Sequence, residues 1–172
     1  MLVAVDTNVL LDLALPKDVA HDAVELVRKR IKSKDGVQLV APPTVLDELH
    51  FLASEGHDPK ERALALKALQ NLIGWGIKPL DLIPVGHGIT ETIARKLRDR
   101  GIIPAEEVND SFIVAEAALA NCALLITSDA HIADADASRM SLTLKECDVD
   151  TVLVMTPLRL VRDFSSKTRR SC

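Results

Sequence analysis

Two aspartates directly follow apolar runs of the kind that form buried strands. Asp6 ends the first run in "LVAVDTNVLL", at residues 2–11, and Asp129 ends a later run in "ALLITSD". Ligands of parallel sheets bind outside the carboxyl ends of the strands, where the strand order reverses. In the order 3-2-1-4-5, which we expect for this sheet, the two strands are neighbours, so both carboxylates open into one crevice. A carboxylate there needs a partner, because burying a charge alone is costly.

A third acid lies on the apolar face of a predicted helix. The segment "APPTVLDELHFLA" starts after the second apolar run, with Thr44 as the candidate N-cap. Glu48 has Val45, Phe51 and Leu52 as its neighbours at helical spacing, which places its carboxylate on the stripe that faces the core.

A fourth acid follows the same pattern in "VNDSFIVAEAALA". Asp110 shares a helical face with Ile113, Val114 and Ala117. Glu116 lies on another side of the same helix, and the pattern gives it no role.

Together these acids predict a metal site. Each one alone is explained by helix capping or by an ion pair, but as a group they would raise one another's pKa unless a cation compensates. Ligation by oxygen atoms alone suits Mg²⁺ or Mn²⁺. Such an ion can convert bound water to hydroxide and neutralise a phosphodiester, and a second ion can stabilise the leaving oxygen. The candidate catalytic and metal-binding residues are Asp6, Glu48, Asp110 and Asp129.

The pattern of strands and helices that positions these acids predicts an α/β domain. Strand-like runs occupy 2–5, 37–41, 77–83, 123–127 and 151–155, and helical patterns separate them. We therefore expect a single three-layer α/β/α domain with a mainly parallel five-stranded sheet. Asp58-Pro59-Lys60-Glu61 is a helix start, and Gly101 is a helix stop. The helix expected at 60–73 is apolar around much of its circumference, which fits a core helix slightly better than a subunit interface.

Composition limits the classes of protein. The chain has 172 residues, of which 48% are hydrophobic and 27% charged, as in soluble globular proteins. No apolar stretch approaches the roughly 18 to 20 residues of a membrane span, and no signal peptide is evident, so we expect a cytoplasmic protein without membrane contact. The three cysteines lack the spacing of a disulfide framework or a zinc site.

Charge argues against non-specific coating of nucleic acid, since the net charge is −4. Basic residues nevertheless cluster in "RKRIKSK" at 28–34, "ARKLRDR" at 94–100 and "KTRR" at 167–170. Each cluster alone fits a solvated helix end or a tail, and together they are compatible with a rim that contacts phosphates. The domain is expected over 1–164, followed by a flexible basic tail at 165–172.

Four motifs in order resemble the PIN-domain family of metal-dependent nucleases, which includes VapC-like toxin ribonucleases. They are "VDTNVLLDL", "TVLDEL", "NDSFIVAEAALANCALLITSDAHI" and the closing "VLVMTPLRLV". The resemblance implies that the four acids ligate the metal. It also implies that Thr7 and Thr127 help to hold water, ligand carboxylates or phosphate. Asn8 and Ser128 complete this secondary polar set, and the alternative role for Thr7, Asn8 and Ser128 is to cap the short helices that follow.

The resemblance further implies cleavage of RNA, and in many bacterial members an antitoxin protein as partner. A homodimer is a further expected assembly. The chain departs from the compact toxins in "AHIADADASRMSLTLKECDVD", which bears on the toxin role more than on the chemistry. Asp134 and Asp136 in this segment are interpreted as solvated loop charges rather than as additions to the acidic site.

Two other function classes remain open. The first is a PIN-like domain that binds RNA or protein without cutting, because ligand geometry matters on a scale that spacing does not report. The second is a phosphoryl-transfer domain, which the sequence disfavours: phosphatases of the haloacid-dehalogenase type have Asp-x-Asp after the first strand, whereas this chain has Asp6-Thr7-Asn8.

Overall fold

A computed structural model describes residues 1–16, 19–31, 36–82 and 86–168. Within these ranges the chain forms one five-stranded sheet, with β1 at Leu2–Val5, β2 at Gln38–Ala41, β3 at Ile77–Pro79, β4 at Cys122–Ile126 and β5 at Leu153–Met155. The strand order is 3-2-1-4-5, and every neighbouring pair is parallel. The expected α/β class and strand order are confirmed.

Helices flank this sheet. They are α1 at Thr7–Ala14, α2 at Val19–Ile31, α3 at Pro43–Glu55, α4 at Pro59–Asn71, α5 at Gly86–Asp99, α6 at Val108–Leu119, α7 at Ala130–Ala133, α8 at Ala137–Lys145 and α9 at Pro157–Thr168. No helix in the described ranges has the length and apolarity needed to cross a membrane.

The central strand is buried along three of its four residues. Val3, Ala4 and Val5 of β1 have no exposed surface, because β2 and β4 pair with the strand on its two edges and helices cover the sheet. The ladder continues past the strand, since the Asp6 amide donates to the Ile126 carbonyl at 3.0 Å. The ends of β1 and β4 are therefore adjacent, as parallel pairing requires.

The edge strands are shorter than the sequence predicts. The run expected at 77–83 is a strand only to Pro79, and residue 83 lies outside the described residues. Pro79 has no amide to donate, which an edge strand tolerates. The run expected at 151–155 begins at Leu153.

Local helix signals are confirmed. Asp58 caps α4 by accepting a hydrogen bond from the Lys60 amide at 2.9 Å, and Pro59 is the first helical residue. Gly101 follows α5 with φ of +59°, a backbone conformation that stops a helix and favours glycine.

Helix α4 has both a packed side and an open side. Ala65 and Ala68 are buried, whereas Leu66 remains 50% exposed. At the chain end, α9 continues to Thr168, past the expected domain boundary at 164. The basic segments at 32–34 and 169–170 and the end of the tail lie outside the described residues.

Candidate functional site

Asp6 lies at the junction of β1 and α1, and its carboxylate is fully engaged. The residue is 2% exposed. Its Oδ1 accepts from the Thr7 amide at 2.6 Å, which caps α1, and its Oδ2 accepts from the Thr127 hydroxyl at 2.6 Å. The expectation that Thr7 or Asn8 caps this helix is wrong, because Asp6 performs that role.

Thr127 connects two of the four acids. Its hydroxyl donates to Asp6 and accepts from the Asp129 amide at 2.9 Å. Asp129 in turn caps α7, where its Oδ1 accepts from the His131 amide at 2.7 Å. The alternative in which Ser128 caps this helix is wrong.

Glu48 is held from two sides. Its Oε2 accepts a hydrogen bond from the Thr7 hydroxyl, and its Oε1 accepts one from the Asn109 side-chain amide at 2.7 Å. Since Thr7 is the first residue of α1 and Asn109 lies in the first turn of α6, these bonds link α3 to both helices. Asn109 was missed from the sequence, because its partner is remote along the chain.

Asp110 carries the site's unsatisfied atom. Its Oδ2 is buried and has no hydrogen-bond partner. Burial raises the pKa of Asp110 to about 7, and repulsion from Asp129, Asp6, Glu107 and Glu48 adds to the shift. An unpaired buried carboxylate oxygen costs free energy, so a partner for this atom would stabilise the fold.

The pKa of Asp6 is also raised, to about 6. Burial is the largest cause, and repulsion from Glu48 and Asp129 acts in the same direction. Hydrogen bonds from Thr127 and Thr7 lower the pKa and offset part of the shift. The mutual repulsion means that the four acids share one electrostatic environment at the carboxyl edge of the sheet.

The positive charge expected for such a cluster is not supplied by the described side chains. Among them, no lysine, arginine or histidine forms an ion pair with any of the four acids. In the same ranges no three His, Cys, Asp or Glu side chains form a ready-made metal-binding group. Threonine hydroxyls donate to one oxygen each of Asp6 and Glu48, and a carboxylate oxygen keeps a second lone pair, so these bonds are compatible with metal ligation. The donor chemistry, all oxygen with one buried orphan atom, fits a hard divalent cation.

The secondary polar residues divide into two groups. Thr7 and Thr127 are buried and bonded to the acids. Asn8 instead joins the loops that follow β1 and β4, because its Oδ1 accepts from the Ser128 amide at 3.0 Å. Ser128 takes part in that contact through its backbone, and its side chain is exposed.

Two expectations about α3 are wrong, one about its cap and one about the side of the helix that faces the core. Thr44 does not cap α3: Pro42 is at the N-cap, and Thr44 donates from its amide and its hydroxyl to Glu116, at 3.0 and 2.7 Å. Glu116, which the pattern left without a role, is only 4% exposed. Phe51, expected on the core side of α3, is 61% exposed. The burial of Glu116 could have been predicted from the sequence, because α6 is apolar on most sides and a helix of that kind buries its few polar residues.

The acids of the long segment after β4 are not among the groups that shift the pKa of Asp6 or Asp110. Asp136 caps α8 by accepting from the amides of Ser138 and Arg139, at 2.9 and 3.0 Å. Both Asp134 and Asp136 are exposed, as expected of solvated charges.

Comparison with known proteins agrees with this fold. The family model described as "PIN domain" matches residues 3–138. VapBC2 from Rickettsia felis, bound to a DNA fragment from its promoter, is similar with a TM-score of 0.59 and 18% identity, over 91% of this chain and 98% of that chain. FitAcB from Neisseria gonorrhoeae is similar with a TM-score of 0.52 and 18% identity, over 91% of this chain and 98% of that chain. VapBC-1 from nontypeable Haemophilus influenzae is similar with a TM-score of 0.54 and 18% identity, over 92% of this chain and 99% of that chain. A comparison with curated protein sequences finds no match.

Proposed function

The chain belongs to the PIN domain family, and from that premise we propose that it is a metal-dependent endoribonuclease. The observation that carries the proposal is the Oδ2 atom of Asp110, which is buried and has no hydrogen-bond partner. The other three acids repel this carboxylate and raise its pKa. A divalent cation would supply the partner that this atom lacks. It would also offset the repulsion that raises the pKa of Asp6 and Asp110.

The metal would be held by the carboxylates of Asp6, Glu48, Asp110 and Asp129. When bound, Mg²⁺ or Mn²⁺ supplies a nucleophilic hydroxide from water and neutralises charge on the phosphodiester. The chain's own contribution is to collect the anionic ligands at one edge of the sheet. Thr7 and Thr127 orient Glu48 and Asp6 through their hydroxyls, as the hydrogen bonds to those acids indicate.

The proposed substrate is RNA and the proposed partner is an antitoxin protein. Support for both comes from the family and from the VapBC proteins that share the fold. A second copy of the chain is a further proposed partner. The net charge of −4 indicates that substrate binding depends on local contacts near the site rather than on a uniformly basic surface.

One observation favours the alternative of a PIN-like domain that binds RNA or protein without cutting. Among the described side chains, no three His, Cys, Asp or Glu residues are placed to hold a metal ion together. A phosphoryl-transfer role has no such support, because Asp6 is buried and both of its oxygens are engaged.

The test is cleavage of a panel of RNAs by the purified chain with Mg²⁺ or Mn²⁺, and with EDTA. Asp6→Asn and Asp110→Asn are each expected to reduce kcat at least a hundredfold, because each removes a charged ligand. Asp47→Asn is the matched control, since Asp47 is exposed on the same helix as Glu48, and it should retain activity. Equal cleavage by wild type and the two variants, or cleavage that EDTA leaves unchanged, would reject the catalytic assignment.

The toxin role is tested separately. Expression of the wild-type chain should arrest bacterial growth, and coexpression of a neighbouring small gene should restore it. The Asp110→Asn variant is the control for toxicity that does not depend on the site. Growth arrest by that variant to the same extent would reject the toxin role and leave the nuclease assay unaffected.

A further inference from the structure

The N-terminus of α3 is capped by a carboxylate from another helix. Pro42 occupies the N-cap position and provides no side-chain hydrogen bond. Glu116 of α6 accepts from the Thr44 amide at 3.0 Å and from the Thr44 hydroxyl at 2.7 Å. A negative charge at this end of a helix is stabilised by the free amides and by the helix dipole. Because Glu116 is 4% exposed, water competes little for these bonds.

The same two helices carry two of the proposed metal ligands. Glu48 lies one turn after Thr44 on α3, and Asp110 lies nearly two turns before Glu116 on α6. A third hydrogen bond joins the helices near the acids, from the Asn109 side chain to Glu48 at 2.7 Å. The helices are therefore joined at two points, which lie one turn apart on α3 and two turns apart on α6. Two points of contact restrict both the spacing and the rotation of one helix against the other.

We propose that Glu116 and Thr44 form an interhelical clamp that sets the position of Glu48 relative to Asp110. The inference rests on the proposed function, since it assigns the clamp a role in metal binding. Glu116 is a positioning residue: its carboxylate contacts Thr44, and it acts on the site through the placement of α3. Packing of α3 on α6 alone leaves the helices free to slide by small amounts, whereas a bidentate contact to a helix N-terminus has a defined geometry. Groups bonded directly to metal ligands tune metal affinity, and the clamp acts one step further out, through the helix that carries Glu48.

The test compares variants that break the clamp with variants that keep it. Glu116→Ala removes both hydrogen bonds of the clamp, and Thr44→Val removes the one from the hydroxyl. Glu116→Gln and Thr44→Ser keep groups able to form them. We expect the first pair to raise the Mn²⁺ dissociation constant about tenfold, measured by electron paramagnetic resonance of free Mn²⁺. The same pair should lower kcat for RNA about tenfold, with KM for RNA unchanged. The second pair should remain within about twofold of wild type in both measurements.

A readout without metal or substrate is the side-chain amide resonance of Asn109. This amide donates to Glu48, so a displaced α3 should shift its nuclear magnetic resonance signal in the metal-free protein. Glu116→Ala and Thr44→Val are expected to shift the signal, and Thr44→Ser is expected to leave it in place.

Val24→Ala is the control for lost stability. Val24 is a buried residue of α2, which carries none of the four acids, and its truncation should lower the unfolding free energy without moving α3. If Glu116→Ala and Thr44→Val behave like Val24→Ala, with unchanged Mn²⁺ affinity, kcat and Asn109 signal, the clamp has no positioning role. A wild-type chain that neither binds Mn²⁺ nor cleaves RNA would reject the proposed function itself, and with it the inference.

Discussion

Asp6 and Asp110 keep their protons at pH values where the unfolded chain has lost them. Their pKa values are about 6 and about 7, against 3.8 for an unperturbed aspartate. Between pH 4 and pH 7 the native state therefore binds more protons than the unfolded state, and stability falls as the pH rises. The contribution of Asp6 alone to this loss is about 3 kcal/mol.

We predict that the metal-free chain unfolds at lower urea concentration at pH 7.5 than at pH 5. Carboxylates with lowered pKa, such as Glu146 at about 2, change stability in the opposite direction but complete that change below pH 5. The measurement is urea unfolding in EDTA across this range. Asp6→Asn should flatten the dependence, because the amide does not titrate. A wild-type stability that is constant or rises from pH 5 to 7.5 would contradict the prediction.

A divalent cation should reverse the trend. Metal binding requires ionised carboxylates, so affinity increases with pH through the range in which Asp6 and Asp110 titrate. At a Mn²⁺ concentration a hundred times the dissociation constant, stability should rise by about 2.7 kcal/mol. The gain should be larger at pH 7.5 than at pH 5, and thermal unfolding with and without Mn²⁺ measures it. An equal gain in the Asp110→Asn variant would show that the ion binds elsewhere.

At the scale of elements, helix ends are encoded by single residues. Asp58→Ala removes the bond from the Lys60 amide and should lower the unfolding free energy by about 1 kcal/mol. Asp58→Asn keeps an acceptor and should cost less. Because the cap of α4 lies outside the acidic site, RNA cleavage by both variants should match wild type at a temperature where they are folded. A loss of cleavage by folded Asp58→Ala would contradict this separation.

Two helix limits that depend on local chemistry were predictable from the sequence, whereas the caps of α1, α3 and α7 were not. The start of α4 and the stop after α5 follow from Asp58-Pro59 and Gly101, which act within one turn. The limits of β3 and β5 were less predictable, because the end of an edge strand depends on its single neighbour. The contact between Thr44 and Glu116 was missed for a different reason. One partner lies in α3 and the other in α6, and helical periodicity describes only one helix at a time.

The strand order 3-2-1-4-5 explains why acids distant in sequence share a site. It places the ends of β1 and β4 side by side, so that Asp6 and Asp129 meet through Thr127. That convergence was predictable, because it follows from topology. The hydroxyl bridges were not predictable, because they depend on side-chain rotamers that the sequence pattern does not specify. The metal roles of the four acids remain predictions.

The assembly of the whole molecule is also testable, because α3 and α4 present apolar side chains to solvent. Phe51 of α3 is 61% exposed and Leu66 of α4 is 50% exposed, and these two helices pack against each other. A contiguous exposed apolar surface marks an interaction site. We predict that the 18.7 kDa chain forms a homodimer through this face, so light scattering after size-exclusion chromatography should give about twice the monomer mass. Leu66→Glu should give the monomer, because it places a charge in the apolar contact. Leu158→Glu, at an exposed position of α9, is the matched control and should leave the mass unchanged. A wild-type monomer at micromolar concentration, or equal dissociation by both variants, would reject this interface.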